Sequence, residues 1–183
     1  ALEDAISASR LPARTDNRCK IVWCGRLTRV KSPDRALATL KDLERQVPGR
    51  FHLTMIGDGP MREELEITTV RDGLADAVTF TGRVASPAPL MASCDLGLLT
   101  SDVEGYPNVI PEMLACGVRR VVTTDCAGGL DALPGVIVSS DKTPAALARQ
   151  LLKAAKAQAA PAELRAVLEA RRPERFFELL AAA

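Results

Sequence analysis

Short apolar runs of β-strand character alternate with helical patterns along most of the chain, and this alternation is the strongest constraint on its fold. Strands that are joined through helices lie parallel, so the pattern predicts βαβ units and an open parallel sheet. We expect about six strands with helices on both faces, an α/β fold class. The predicted strands are Lys20–Gly25, Phe51–Ile56, Val78–Thr81, Asp95–Thr100, Arg120–Thr124 and Val136–Val138.

Helices are predicted between the strands. Ser32-Pro33 should begin the first one, because Ser can cap a helix and Pro suits its first turn. The later helices are predicted at about Pro60–Gly73, Pro87–Ser93, Asn108–Cys116 and from Thr143 onward. We interpret residues 1–18 as a linker, and residues 19–183 as a single Rossmann-like domain with a helical tail from about residue 160. Trp23 is predicted to lie in the core of that domain.

Charge and cysteine content exclude several functions. Lys plus Arg number 24 and Asp plus Glu 23, so the chain lacks the basic excess typical of nucleic-acid-binding proteins. A phosphate ligand would therefore be held by a few placed groups. The five cysteines show no CxxC spacing and His52 is the one histidine, which argues against a metal site. The odd number of cysteines and the apolar flanks of Cys24, Cys94 and Cys116 indicate reduced, mostly buried thiols in a cytoplasmic protein. No run of the sequence has the length and hydropathy of a transmembrane segment.

An open parallel sheet binds ligands beyond the carboxyl ends of its strands, so the loops there are the predicted functional region. Four such loops carry the candidate residues: Arg26 with Lys31, Gly57–Pro60, Arg83-Val84, and Glu104–Asn108. Each group also fits a plain structural role. Arg26 and Lys31 could form a solvated loop pair, and Gly57–Pro60 could be a strand-to-helix turn.

Glu104 and Glu112 are the most informative pair among these residues. Glu104 lies in a Gly- and Pro-containing loop, and Glu112 lies one turn inside the following predicted helix, on the same face as Asn108. Unpaired N–H groups at a helix start favour phosphate, and Glu112 can lean back toward them. The alternative is a first-turn Glu112 that stabilises the helix dipole and a solvated Glu104.

The segment EGYPNVIPEMLACG from Glu104 to Gly117 closely resembles the E-x7-E segment of family 4 glycosyltransferases, which are retaining enzymes of the GT-B fold. Four more stretches are similar to that family in the same order: Gly25-Arg26-Leu27 with Lys31, Ile56–Pro60, Phe80–Val84, and Gly128-Gly129. The resemblance covers about residues 20–155 and identifies the donor-binding, C-terminal domain. Departures occur at Pro111, Arg119 and Asp131, and they leave every charged donor-site position intact.

The resemblance implies a role for each matching residue. Arg26 and Lys31 would bind the donor diphosphate and stabilise its charge, and Glu104 would contact the transferred sugar; these three form the implied catalytic set. Glu112 would bind the ribose hydroxyls. The remaining implied donor contacts are Gly57, Arg83, Val84, Gly105, Tyr106, Asn108 and Val109, with Arg83 and Val84 beside the nucleobase.

The implied reaction transfers a sugar from a nucleotide-sugar, by family habit a UDP-sugar, with retention and without a metal ion or other cofactor. It would serve polysaccharide or glycolipid synthesis in the cytoplasm or at the inner face of the membrane. In the family, the acceptor is held by an N-terminal domain, which we expect to precede residue 1. Any peripheral membrane contact would come through that half. The isolated chain should bind the donor but transfer no sugar.

Other assignments remain open from the sequence. The chain could be the donor-binding subunit of a split glycosyltransferase, or a domain like that of nucleotide-sugar epimerases, although those lack the EGYPN segment. A dinucleotide-binding domain is disfavoured because GxGxxG is missing after the first strand. Two carboxylates alone would also suit a glycoside hydrolase, but here the phosphate-binding pieces accompany them.

Overall fold

The computed structural model describes residues 17–157 as one α/β unit built on a six-stranded sheet. The strands are β1 (Cys19–Cys24), β2 (Phe51–Ile56), β3 (Val78–Gly82), β4 (Leu96–Leu99), β5 (Arg120–Thr124) and β6 (Val136–Ser139). Their order in the sheet is β3-β2-β1-β4-β5-β6, and every neighbouring pair is parallel. This confirms the predicted parallel, Rossmann-like sheet.

Among residues 17–157, five α-helices connect or flank the strands: α1 (Pro33–Gln46), α2 (Arg62–Arg71), α3 (Ala88–Ala92), α4 (Val109–Ala115) and α5 (Pro144–Lys156). Side chains of α1, α2 and α5 form one buried cluster with one face of the sheet. Side chains of α3 and α4 form a second cluster on the opposite face. Successive residues of β1 divide between the two clusters, as a strand buried on both faces requires: Ile21 and Trp23 join the first and Val22 the second.

Up to the start of α5, the predicted element boundaries agree with the structure to within about two residues, and Trp23 is fully buried as expected. The helix α5 ends at Lys156, where the helical pattern was predicted to continue. At the start of α1 the position is as predicted, but the predicted side-chain cap is not formed. Ser32 adopts a left-handed conformation, and its hydroxyl turns away from the helix to contact Arg29 O at 3.0 Å and Asp102 Oδ2 at 3.1 Å. The prediction that Ser32 caps this helix is therefore wrong, although the helix begins where it was expected.

The first 16 residues of the predicted linker and the predicted tail from about residue 160 lie outside the described residues. Cys94 and Cys126 are buried, whereas Cys24 and Cys116 are half-buried thiols. Within residues 17–157, the structure contains no helix with enough length and apolar character to cross a bilayer.

Candidate functional site

The strand order changes direction between β1 and β4, which lie side by side although β2 and β3 separate them in sequence. The loops that leave the carboxyl ends of these two strands run to opposite sides, and a crevice opens between them. Such a topological switch point is where open α/β sheets bind ligands. The loop after β1 carries Arg26 and Lys31, and the loop after β4 carries Glu104.

Lys31 and Glu104 meet across this crevice. Lys31 Nζ lies 2.5 Å from Glu104 Oε1, and the two side chains are 32% and 12% exposed, respectively. A charge pair this sheltered is screened less by water than a surface pair, so the carboxylate fixes the position of the ammonium group. The structure thus joins two predicted site residues that are 73 positions apart in the sequence.

Glu104 is held from below by the chain that follows β4 and β5. The Ser101 hydroxyl donates to Glu104 Oε1 at 2.6 Å, and the Glu104 backbone N–H donates to Cys126 O at 2.8 Å. Thr124, at the end of β5, donates its hydroxyl to Ser101 O at 2.6 Å. Ser101 and Thr124 are buried, so the hydrogen bonds that hold Glu104 Oε1 in place are shielded from water.

The loops after β1 and β4 are also joined through Asp102. Its backbone N–H donates to Val30 O at 2.9 Å, and its carboxylate accepts a bond from Arg35 Nη2 at 2.8 Å. Lys142 Nζ donates to Asp102 O at 2.7 Å. The hydrogen bond from Arg35, with a smaller contribution from Ser32, lowers the pKa of Asp102 below its ordinary value. Asp102 therefore stays ionised and keeps the loop attached to α1.

A cavity of about 210 Å³ lies on the other side of the crevice, at the carboxyl ends of β1, β2 and β3. Its lining includes the predicted residues Arg26, Gly57, Arg83 and Val84. Arg26 and Arg83 are exposed, and Val84 is half-buried. Two guanidinium groups thus stand at a small recess with an apolar wall, an arrangement that can accommodate an anionic ligand with a flat, partly apolar part.

Backbone contacts shape the floor of this cavity. Gly57 has φ +129°, and a Cβ there would lie 2.0 Å from Gly25 O. Gly59 is also tightly packed, since its Cβ would lie 2.5 Å from Leu27 O. Backbone hydrogen bonds from Gly25 N to Ile56 O and from Leu27 N to Asp58 O, both 3.0 Å, complete the seam. The loops after β1 and β2 touch through their main chains, which only glycine permits.

Glu112 acts electrostatically on two neighbouring thiols. It lies exposed in α4, and its charge acts on Cys24, which lines the cavity. Burial, followed by the charge of Glu112, raises the pKa of the Cys24 thiol to about 11. The same two causes raise the pKa of Cys116. The thiol of Cys24 is therefore protonated at neutral pH.

The remaining predicted residues run from Gly105, next to Glu104, to Val109, the first residue of α4. Tyr106 is 52% exposed, and Gly105 and Asn108 are also exposed. Within the described residues, a Cβ added at Gly105 would meet no atom within 4 Å, and its φ is not in the left-handed region. Neither protein sterics nor backbone conformation explains a glycine there, so the chain leaves open space beside Glu104.

Sequence reasoning missed several residues of the site. Cys24 and Pro87 line the cavity, and Ser101, Asp102 and Arg35 hold the loops together. Cys24 and Ser101 directly precede or lie within stretches that the sequence already pointed to, so proximity to those stretches was an available signal. Arg35 carried no such signal, because it lies in α1 and reaches the site through a bond that spans 67 positions.

Comparison with known proteins finds matches over the part of the chain that contains this site. The profile of the family described as "Glycosyl transferases group 1" matches residues 18–157. An alpha-1,4-N-acetyl-D-galactosaminyltransferase of Campylobacter jejuni is 30% identical over 135 residues, 72% of this chain and 37% of that enzyme. A GDP-mannose-dependent mannosyltransferase of Mycobacterium tuberculosis that acts on phosphatidylinositol dimannoside is 33% identical over 62% of this chain and 29% of that enzyme.

Solved structures agree with the sequence matches. The crystal structure of Anabaena HepE in complex with UDP superposes with a TM-score of 0.67 at 25% identity, over 76% of this chain and 40% of HepE. HepE has also been crystallised with UDP-glucose. The matched segment thus spans about a third of the length of the curated relatives and less than half of HepE. On the family match across residues 18–157, the chain belongs to the group 1 glycosyl transferases.

Proposed function

We propose that the crevice binds a nucleotide-sugar donor, a UDP-sugar, and that the chain supplies the donor site for retaining glycosyl transfer. The observation that carries this proposal is the meeting of Lys31 and Glu104 at the switch point, 2.5 Å apart, beside a cavity lined by Arg26. Cations and a carboxylate on opposing loops suit a ligand that has both phosphate oxygens and sugar hydroxyls.

The two cations act on the leaving group. When the bond between the anomeric carbon and the phosphate oxygen breaks, the nucleoside diphosphate leaves with the electron pair and gains negative charge. Arg26 and Lys31 are fixed charges that stabilise this change more than they stabilise the bound donor, which lowers the barrier. The acceptor oxygen bonds to the anomeric carbon on the same face, and its proton passes to the departing phosphate oxygen, which has gained the electron pair.

The carboxylates orient the donor rather than react with it. Glu104 accepts hydrogen bonds from hydroxyl groups of the transferred sugar. Part of the contact between Lys31 and Glu104 is then replaced by a contact between Lys31 and the diphosphate. Glu112, which lies exposed in α4, accepts bonds from the ribose hydroxyls. Main-chain groups of Gly105, Tyr106, Asn108 and Val109 approach the ligand closely, which the open space at Gly105 permits.

The nucleobase lies in the cavity against Val84, with Arg83 and Gly57 at its edge. A uracil base is favoured by the similarity to HepE, which has been crystallised with UDP and with UDP-glucose. The GDP-mannose-dependent relative supports guanine as the competing base. The donor site operates without a metal ion, because Arg26 and Lys31 supply the positive charge that the diphosphate needs.

The acceptor is bound by a second, N-terminal domain, in a cytoplasmic enzyme of polysaccharide or glycolipid synthesis. The relatives named for transfer to undecaprenol-linked and phosphatidylinositol-linked glycans support this assignment. Residues 1–183 by themselves bind the donor but transfer no sugar to an acceptor.

Isothermal titration calorimetry of the 183-residue chain tests the proposal. UDP should bind more tightly than GDP, and a chelator should leave the affinity unchanged. Uridine, which lacks the diphosphate, is the matched control and should bind much more weakly. If neither UDP nor GDP gives heat at millimolar concentration, the donor site is refuted; loss of binding in the chelator would refute metal independence alone.

A further inference from the structure

A buried pair of side chains next to the proposed donor site has no part in the chemistry described above. Trp23 in β1 and Thr100, directly after β4, are both 0% exposed. Trp23 Nε1 donates to Thr100 Oγ1 at 2.9 Å. An indole N–H can only donate, so the hydroxyl of Thr100 must be the acceptor of this bond and must direct its own proton elsewhere.

The proton of Thr100 is directed at the backbone that carries Lys31. Thr100 Oγ1 lies 2.7 Å from Ser32 O and 3.0 Å from Lys31 O. These carbonyl groups belong to the peptide units that directly follow Lys31 and Ser32. One hydroxyl, oriented by one indole, thus fastens the main chain on the carboxyl side of Lys31.

The main chain at Ser32 adopts an unfavourable conformation, which the hydrogen bonds from Thr100 stabilise. Ser32 has φ 43° and ψ 57°, a left-handed conformation that is unfavourable for a residue with a Cβ. The turn lets the chain enter α1 while Lys31 points to Glu104. If Ser32 relaxed to an ordinary conformation, the direction of the preceding residue would change and Lys31 Nζ would leave the carboxylate.

We propose that the Trp23–Thr100 pair positions Lys31, so that its ammonium group is presented to Glu104 and, in the donor complex, to the diphosphate. The first half of this statement stands on the contacts of the chain alone. The second half rests on the proposed donor-binding function. Trp23 and Thr100 are positioning residues, because they act through the backbone of Lys31 and touch no ligand.

Four variants of the full 183-residue chain separate positioning from packing. Thr100→Val removes the hydroxyl at nearly constant volume, and Thr100→Ser keeps the hydroxyl. Thr69→Val is the matched control, because Thr69 is a buried threonine whose hydroxyl donates to Leu65 O at 2.8 Å within α2. Since Thr100→Val leaves the indole N–H of Trp23 unsatisfied, the double variant Trp23→Phe with Thr100→Val, which removes both partners, is made as well.

The first measurement needs no nucleotide. Amine acylation of each lysine is followed by mass spectrometry under conditions in which circular dichroism shows every variant folded. Lys31 should be acylated several-fold faster in Thr100→Val and in the double variant than in the natural chain. Thr100→Ser and Thr69→Val should stay within about twofold of it, since both keep the hydrogen bonds that reach Lys31. An unchanged acylation rate at Lys31 in both variants that lack the Thr100 hydroxyl would overturn the proposal.

The second measurement is a double-mutant cycle for UDP affinity. Thr100→Val should weaken UDP binding about tenfold, but it should have no effect in a Lys31→Gln background, because its effect passes through Lys31. A full tenfold loss in that background would contradict positioning. If the natural chain binds no UDP while Lys31 still becomes more reactive in Thr100→Val, the donor function is refuted and the positioning of Lys31 is supported.

Discussion

The two sides of the crevice are held in place by different means. On the β4 side, side chains hold the loops together. Lys31 forms an ion pair with Glu104, and Glu104 and Asp102 accept hydrogen bonds from the buried hydroxyl groups of Ser101 and Ser32. On the β2 side, main chains touch directly, with Gly57 and Gly59 packed on the backbone of the loop after β1. Parallel strands of one sheet therefore end in two loop pairs with distinct mechanical properties.

The difference teaches which substitutions each side can absorb. A side-chain network loses one bond at a time, and its neighbours or water can partly replace that bond. A backbone seam has no such freedom, since any added carbon atom collides with atoms that cannot rotate away. We expect mutations on the β2 side to damage the fold, and mutations on the β4 side to damage ligand binding while the fold persists.

Gly57→Ala should have the largest effect. The new Cβ would lie 2.0 Å from Gly25 O, and alanine would have to adopt φ +129°. We expect the free energy of unfolding to fall by about 3 kcal/mol or more, from backbone strain and overpacking together. Urea denaturation followed by circular dichroism measures the change.

Gly73→Ala is the matched control for this substitution. Gly73 also has a positive φ, +71°, but a Cβ there would meet no atom within 4 Å among the described residues. It should therefore cost only the conformational term, about 1–2 kcal/mol. Equal losses for the two variants would show that the seam between the loops contributes nothing.

Lys31→Glu should have the next largest effect, on binding. It replaces a phosphate-binding cation with a carboxylate that repels both the ligand and Glu104, and we expect UDP affinity to fall by about 100-fold or more. Lys41→Glu makes the same charge change in α1, where Lys41 Nζ pairs with Asp72 Oδ1 at 3.1 Å. Calorimetry should find UDP affinity within about twofold for that control. An unchanged affinity in Lys31→Glu would exclude Lys31 from phosphate binding.

The sequence predicted the backbone-held side better than the side-chain-held side. Strand runs and glycine-containing turns are local patterns, so β1, β2 and the loops after them could be placed from composition and periodicity. The bond from Trp23 to Thr100 spans 77 positions and leaves no local signature. From the sequence, Trp23 was therefore predicted only as a core residue, and Thr100 only as the end of a strand.

Ser32 shows why the local signal was misleading at the start of α1. Ser followed by Pro is typical of a capped helix start, and the helix does begin at Pro33. However, the Ser32 hydroxyl donates to the carboxylate of Asp102, which lies 70 positions away, and the Ser32 carbonyl accepts a hydrogen bond from Thr100. Tertiary hydrogen bonds thus decided a conformation that the local pattern assigned to capping.

Gly105→Ala sharpens the comparison at the boundary between fold and ligand. Because its Cβ would enter open space, the free energy of unfolding should change by less than about 0.5 kcal/mol. If the ligand approaches this backbone as proposed, UDP affinity should nevertheless fall about tenfold, since the methyl group would occupy the ligand's place. Unfolding and calorimetry on the same preparation check both halves. A variant with natural affinity would remove Gly105 from the donor contacts.

Asp102→Asn should have the smallest effect. It weakens the contact with Arg35, but that pair is partly exposed, with side chains 21% and 52% accessible, so water screens it and the loss should not exceed about 1 kcal/mol. The loss should depend on pH. Because Arg35 lowers the pKa of Asp102 in the folded chain, the carboxylate stabilises the fold above the pKa that it has in the unfolded chain. This contribution disappears as the pH falls through the lower, folded-state pKa.

The free energies of unfolding of Asp102→Asn and the natural chain should therefore differ at neutral pH and converge in acid, in urea titrations repeated from pH 7 downward. Asp141→Asn is a useful comparison, because the pKa of Asp141 is lowered chiefly by hydrogen bonds from Thr143 at the start of α5. Its variant should converge in acid too, but it should leave UDP affinity unchanged. Asp102→Asn should weaken UDP binding slightly, because Asp102 joins the loop after β4 to Ser32, the residue next to Lys31. If both variants bind UDP equally well, the ties around Asp102 stabilise the fold without positioning the cation.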